Sequence, residues 1–428
     1  MSNILFITSQ IFDKDLYEAF SKVKNEGHKL YLLSDGRNLP DAGVFEEQYV
    51  YDLRNVTAVL EGMRKTDISF GAVVQQSSDY LTPLTALLAR HYGCKGNTPK
   101  TAFLCRSKYH MRKALEGAGV PIPKFRLCQN YDEIENAVSD IGMPCVVKPV
   151  GANSSMGVFG IMSKKDLHEL KARYDLALDS LKNATGNDIF AFSREELKSI
   201  GIEDYIDMGN DFLVEEYMEG PEISIDALVH QNEITIMCIE DQIRMAPPYF
   251  LQTEARMPYQ TTSEQMGVIK NLVEKTIRAL GIQDSASHTE IIFTPDGPKI
   301  VEIGCRFGGD DILSSIKVVT GYNLLYETIQ IALGKHREYN VKTLAHTAMM
   351  YFMPKERGTI QSIKVPEKLA EDPRIVEFFI FLSKGHFVAP PPESFEYIGY
   401  MNVKGHTAEE ARRSLMELSS QIKIEIKE

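Results

Sequence analysis

Glu290, Glu302 and Arg306 fall within one stretch, HTEIIFTPDGPKIVEIGCRFGGD, residues 288–310. Read with a period of two, residues 288–293 and 299–305 are strands, joined by Pro295-Asp296-Gly297, whose glycine can take positive φ. A three-residue hairpin turn there sets Glu290 opposite Glu302, with His288, Gly304 and Arg306 on the same face. Ile291, Phe293, Val301 and Ile303 point the other way, so one face serves a core and the other can serve chemistry. Facing carboxylates repel by about 0.2–1 kcal/mol when exposed and by more when desolvated, so a positive group must compensate. A magnesium ion, held by one or two protein carboxylates and otherwise by water and substrate phosphates, suits the pair. An arginine ion-paired to both glutamates on a solvated hairpin satisfies the same electrostatics.

A second group lies earlier in the chain. Residues 144–149, PCVVKP, form a strand that presents Lys148, and Gly151-Ala-Asn-Ser-Ser-Met-Gly157 follows before another strand at 158–162. Glycine and serine between strands can wrap N–H groups and hydroxyls round phosphate oxygens, with the lysine as a point charge. A plain Gly/Ser hairpin turn explains the same residues. Ser78 and Asp79 follow a buried strand at 72–74. Ligands of open α/β sheets bind at strand carboxyl ends, so both residues are candidate substrate contacts, and capping of the next helix is the competing explanation.

These residues need a frame. A strand at 3–8, a helix at 15–24 and a strand at 28–33 imply a parallel sheet, continued by the strand at 72–74 and a helix at 81–92. No G-x-G-x-x-G follows the first strand, so no dinucleotide is expected. Residues 99–117 read as one helix carrying Arg106, Lys108 and Arg112, ended by Val120-Pro121-Ile122-Pro123. Residues 164–182 form a charged, solvated helix. Strands follow at 212–218, 222–228 and 234–239, and residues 247–262 read as a long loop without period, which makes Glu254 and Arg256 candidates for contacting a substrate. Residues 263–280 are an amphipathic helix whose inner stripe is Met266, Ile269, Leu272, Val273 and Ile277. After Gly308-Gly309-Asp310 come helices at 311–320 and 323–333. Strands at 346–353, 375–382 and 394–403 and a helix at 407–419 make up a C-terminal packing module.

A chain of 428 residues is too long for one core. The expected fold class is α/β (α+β): a Rossmann-like domain over 1–100, a linker helix and small lid over 101–220, and a large subdomain with the C-terminal module over 221–428. The net charge of −12 argues against general binding to nucleic acid or anionic membrane. No apolar run is long enough to span a bilayer, and MSNILFITSQIF enters a strand pattern without a charged leader, so a cytoplasmic location is expected. Cys94, Cys105, Cys128, Cys145, Cys238 and Cys305 show no paired spacing, which speaks against zinc or a disulfide framework.

Taken in order, Lys108, Lys148, the Gly/Ser loop, Glu215-Glu216-Tyr217-Met218 and Glu290…Glu302…Arg306 resemble the ATP-grasp superfamily over 3–334. The 288–310 stretch resembles its carboxylate–amine ligases, the L-amino-acid (dipeptide) ligases above all. The resemblance implies a two-part ATP-grasp fold after the Rossmann-like sheet, and Lys108 and Lys148 on ATP phosphates. It implies further that Asn153, Ser154, Ser155, Met156 and Gly157 close over the triphosphate, Glu215 to Met218 form the adenine hinge, and Glu222 lies near the ribose. Glu290 and Glu302 would hold Mg2+, with Mn2+ as an alternative. Arg306, Lys148 and Glu302 make up the implied catalytic set, with Arg306 on the transferred phosphoryl group. Ser78, Asp79, Glu254, Arg256, Gly308 and Gly309 are grouped as substrate contacts. Gly304 stands where the family commonly has an asparagine metal ligand.

The implied reaction activates a small carboxylate as an acyl-phosphate, which an amine then converts to an amide with release of ADP and phosphate. Two alternatives stay open: a carboxylase or purine-type enzyme that activates bicarbonate, and a non-catalytic nucleotide-binding sensor. The expected partners are small molecules, with a homodimer suggested by the family.

Overall fold

The computed structural model describes residues 1–10, 13–38, 40–41, 43–153, 155–183, 193–335, 337–391 and 393–427. It opens with a four-stranded parallel sheet ordered Glu47–Val50, Lys29–Ser34, Asn3–Thr8 and Ala72–Gln75. Asn3–Thr8 is buried on both faces, which is why it reads as an unbroken apolar run rather than an alternating one. Helix Lys14–Asn25, capped by Asp13, packs on one side and helices Val56–Met63 and Thr82–Tyr92 on the other.

The single helix expected over 99–117 is two helices, Pro99–Arg106 and Lys108–Gly117. Ser107 is extended between them, and its Oγ accepts the His110 N–H. A serine able to cap a new helix N-terminus can outcompete its own place in a helix interior, and here that break puts Lys108 on the first turn of the second helix.

An antiparallel sheet ordered Phe125–Cys128, Phe212–Glu216, Cys145–Pro149 and Phe159–Ile161 forms a small lid. An eight-stranded sheet carries the rest. Its order is Gly297–Gly304, Ser285–Thr294, Glu222–His230, Glu233–Arg244, Gln252–Met257, His346–Phe352, Gly399–Gly405 and Ile375–Ile380. The C-terminal segment thus prolongs the large sheet, and Gly358–Lys364, Phe387–Val388 and Lys423–Lys427 add a three-stranded sheet beside it. No helix among the described residues is long and apolar enough to cross a membrane.

The long loop at 247–262 contains the strand Gln252–Met257, in which Ala255 and Met257 are buried. Pro247, Pro248 and Pro258 bracket a segment too short to show its alternation against them. The hairpin turn is also tighter than expected: Thr294 pairs with Gly297, and a bulge at Val301 restores Glu290 opposite Glu302. Ile300 therefore enters the core beside Ile291 and Ile303, while Val301 faces the cavity.

Helix Ser263–Leu280 covers the apolar back of this hairpin with Ile269, Leu272, Val273, Ile277 and Leu280, each 5% exposed or less. At about 1.5–3 kcal/mol per buried aliphatic side chain, the stripe contributes on the order of 10 kcal/mol before chain entropy. The repulsion between Glu290 and Glu302 is small beside it, so packing on the back holds two like charges together on the front.

Gly220 joins the lid to the large sheet with φ of +149°, and a Cβ there would lie 1.9 Å from the Phe293 carbonyl oxygen. Gly220→Ala is expected to lower stability by about 2 kcal/mol or more, read as a shifted urea midpoint with unchanged slope. An unshifted midpoint would show that the hinge backbone yields freely.

Candidate active site

The lid, the large sheet and the end of the parallel sheet enclose a cavity of about 1130 Å³. Its floor is the polar face of the large sheet. Strand pairing aligns Glu302, Glu290, Ser224 and Glu240 in one row, Gly304, His288 and Asp226 in the next, and Ile292, Glu222 and Gln242 on the other side.

Three cations meet the carboxylates of that floor. Lys108 Nζ lies 3.1 Å from Glu302, Arg244 lies 2.6 Å from Glu222 and 3.4 Å from Glu290, and His288 lies 3.8 Å from Glu290. Arg306, which the sequence offered as the compensating charge, instead donates to Asp79 through Nε at 2.9 Å and through Nη2. Asp79 is thereby committed to orienting Arg306 within the cavity wall. The pair packs against Gly304, where a Cβ would sit 3.3 Å from Asp79 Oδ1 and 3.5 Å from Arg306 Cγ.

Lys148 Nζ lies 2.6 Å from Glu215, and Arg112 donates to the same carboxylate at 2.8 and 3.1 Å. Glu215 is 2% exposed and Arg112 fully buried, so this side chain of the expected hinge faces inward and fixes the lysine. Glu216 and Lys299 pair at 3.1 Å, and Tyr217 and Met218 line the cavity with Gly220 and Pro221.

The charges differ in how they are held. Burial opposes ionisation of Glu290, but Arg244 and His288 outweigh it and hold the carboxyl at about 2. His288 is buried too, yet Asp226, hydrogen-bonded at 2.9 Å, and Glu290 lift it to about 10. Burial also opposes the charge of Asp79, and Arg306 brings it to about 2. For Glu222, burial wins over Arg244 and, with Glu290 and Glu302 adding to it, pushes the carboxyl up to about 7. One guanidinium between two carboxylates neutralises one of them.

The Gly/Ser loop lies over this site. Ser155, at φ of +55°, donates to the Phe250 carbonyl at 3.2 Å and accepts from Arg244 at 3.2 Å, and the Ala152 carbonyl accepts from Lys108. Asn153 and Met156 line the cavity beside Ser155, and Gly157 turns the chain at φ of +69°. Ser154 lies outside the described residues. Ser78 and Gly309 also line the cavity, whereas Gly308 donates its N–H to Asp226 at 2.7 Å.

Glu254 and Arg256 pair with each other at 2.8 Å outside the cavity lining, and Arg256 lies 3.9 Å from Asp241, which does line it. Sequence reasoning missed Arg244, Asp226 and Glu240. Arg244 ends a strand that alternates as far as Gln242, a legible signal, but its partners come from two other strands. It also left out the contribution of the C-terminal segment, where Tyr351, Phe381, Phe395 and Tyr397 line the cavity wall.

Glu290 and Glu302 are adjacent hard oxygen donors, 15% and 29% exposed toward the cavity, and this donor set fits a magnesium ion that keeps its remaining positions for water and phosphate. The chain is similar to known proteins over most of its length. Residues 141–313 match the ATP-grasp domain and residues 350–427 the L-amino acid ligase C-terminal domain 2. Alanine–anticapsin ligase of Bacillus subtilis is 23% identical over 97% of this chain and 87% of its own length. Carnosine synthase 1 of Mus musculus is 24% identical over 66% of this chain and 33% of its own. The structure of L-amino acid ligase from Bacillus licheniformis superposes with a TM-score of 0.77 at 21% identity, covering 100% of this chain and 99% of the other, and so shares the fold.

Glu222 gives this site a pH signature. Its folded value near 7 lies above the ordinary 4.5, so the stabilisation it carries is complete below pH 4.5 and is lost as pH rises through 7. Glu222→Gln is expected to flatten the decline by up to about 1.4 kcal/mol per pH unit in that window, measured by urea unfolding at about pH 5 and about pH 8. Parallel curves for the two proteins would show that Glu222 is already ionised.

Proposed function

We propose that this chain, an ATP-grasp ligase, joins the carboxyl of an amino acid to the amino group of a second amino acid or small amine through an acyl-phosphate, releasing ADP and phosphate. The observation that carries the reading is the pairing of Glu290 with Glu302 at the basic end of a cavity whose far wall comes from the segment matching the L-amino acid ligase C-terminal domain. That segment favours an amine over bicarbonate as the second reactant. The proposed division is 1–100 for the Rossmann-like domain, whose Ser78 and Asp79 line one end of the cavity, 101–220 for the linker and lid, and 221–428 for the catalytic floor and far wall.

Lys108 and Lys148 lie where they can contact ATP phosphates, and Tyr217 and Met218 where they can flank a base. Glu290 and Glu302 would hold magnesium, which supplies charge neutralisation to phosphate oxygens. Arg306, kept in place by Asp79, faces the cavity and is suited to the phosphoryl group in transfer. A carboxylate oxygen attacks the γ-phosphorus, ADP leaves, the amine then attacks the acyl carbon, and phosphate leaves. His288, protonated by its contacts with Asp226 and Glu290, cannot take a proton from the amine but can donate an N–H to the developing oxyanion. The loop resting on Arg244 shields the acyl-phosphate from water.

With Mg-ATP and pairs of amino acids, ADP and phosphate release is expected to require both partners and to yield an amide seen by mass spectrometry. Arg306→Met should lower kcat by about 100-fold or more, and Glu302→Ala or chelation by EDTA should abolish turnover. Release that depends on bicarbonate and not on an amine would overturn the reading.

A further inference from the structure

At the end of the cavity away from Lys148 the charge changes sign. Glu240 stands in the row of Glu290 and Ser224 and is 1% exposed. Its Oε1 accepts from Gln252 at 3.2 Å, whereas Oε2, although Glu240 lines the cavity, has no hydrogen-bond partner among the described residues. Asp311, 3% exposed, accepts from Ser315 at 2.8 Å, and Asp310, exposed at the rim of the cavity, accepts from the Tyr351 hydroxyl at 2.5 Å, so of the three only Glu240 and Asp311 are buried. Both line the same wall. Among the described residues no lysine or arginine forms an ion pair with any of the three, and the nearby His288 is bound to Asp226.

A buried carboxylate without a counter-charge must take up a proton or meet a cation from outside the protein. Burial and the nearness of Asp311 push Glu240 well above the carboxylate range, and burial pushes Asp311 up to about 7, so the wall holds a proton that a cationic ligand can replace. Strand spacing puts Glu240 about 10 Å from Glu290, a gap that one small substrate can bridge with its reacting group at the Glu290 end.

We infer that Glu240, Asp310 and Asp311 form the subsite for an ammonium group of a substrate, the first element of substrate recognition that this chain's own residues specify. The inference rests on the ligase reading for what happens at the other end of the cavity. A substrate ammonium has two sources, the α-amino group of any amino acid and the side chain of a basic one.

The test uses the full chain saturated with Mg-ADP and measures binding by thermal shift and calorimetry for L-alanine, L-norleucine, L-lysine, 6-aminohexanoate, propionate and hexanoate. Wild type should bind the ammonium-bearing compounds, and Glu240→Gln should weaken them about tenfold or more while leaving propionate and hexanoate as they were. Loss with norleucine assigns the α-amino group, and loss with 6-aminohexanoate assigns the side-chain group. The shift given by ADP alone reports that a variant is folded, and Asp310→Asn, on the same wall, should act in the same direction. Failure of every ammonium compound to bind wild type, or equal weakening of hexanoate and norleucine, would overturn the subsite. Binding as expected without ADP release from Mg-ATP in the presence of any amine would leave the subsite standing and remove the ligase reading.

Discussion

The arrangement depends on one buried carboxylate. Glu215 accepts from Arg112 and pairs with Lys148, and Arg112 also donates to the Val301 carbonyl at 2.6 Å. These contacts tie the helix after Ser107, two lid strands and the bulge of the Glu290–Glu302 hairpin to a single point. Burying three charges costs several kcal/mol per ion in desolvation, so the cluster gains little over an apolar packing of the same volume. It gains position. With Lys148 held in the lid and Val301 held in the floor, the lysine and the paired carboxylates keep one relation to each other.

Around that point the structure separates what holds the fold from what presents charge. The back of the large sheet is aliphatic and covered by helix Ser263–Leu280, and the front carries the carboxylates. The front is graded. Near Lys148 and Lys108 carboxylates are matched by cations, whereas toward Tyr351 and Glu240 they are not. A substrate crossing the cavity therefore meets attraction for phosphate at one end and for positive charge at the other, which orients a zwitterion before any close contact forms.

Gly304 lies against an ion pair that joins the parallel sheet to the hairpin end, since a Cβ there would meet Asp79 Oδ1 at 3.3 Å and Arg306 Cγ at 3.5 Å. The same ion pair gives Arg306 a fixed bearing into the cavity. Asp79 thus acts through Arg306, and its reach toward substrate is spent on that contact.

Local pattern in the sequence determined the first strand–helix–strand unit, the presence of a hairpin over 288–304, the inner stripe of the helix after Ser263 and the Gly/Ser loop after Lys148. Each rests on a period of two or 3.6 or on turn chemistry confined to neighbouring residues. Local pattern did not determine the strand Glu47–Val50, the helix Val56–Met63 or the bulge at Val301 that sets Glu290 opposite Glu302. The break at Ser107 had a capping signal, and the strand Gln252–Met257 had an alternation hidden between prolines. Which charge meets which was decided only by tertiary structure. Arg306 turned to Asp79, Arg244 to Glu222 and Glu290, and Glu215 inward to Arg112, because each partner comes from a different strand or helix and Coulomb energy is set by distance in space. The unmatched carboxylate of Glu240 was illegible for the same reason, since a missing partner can be recognised only after every neighbour has been placed.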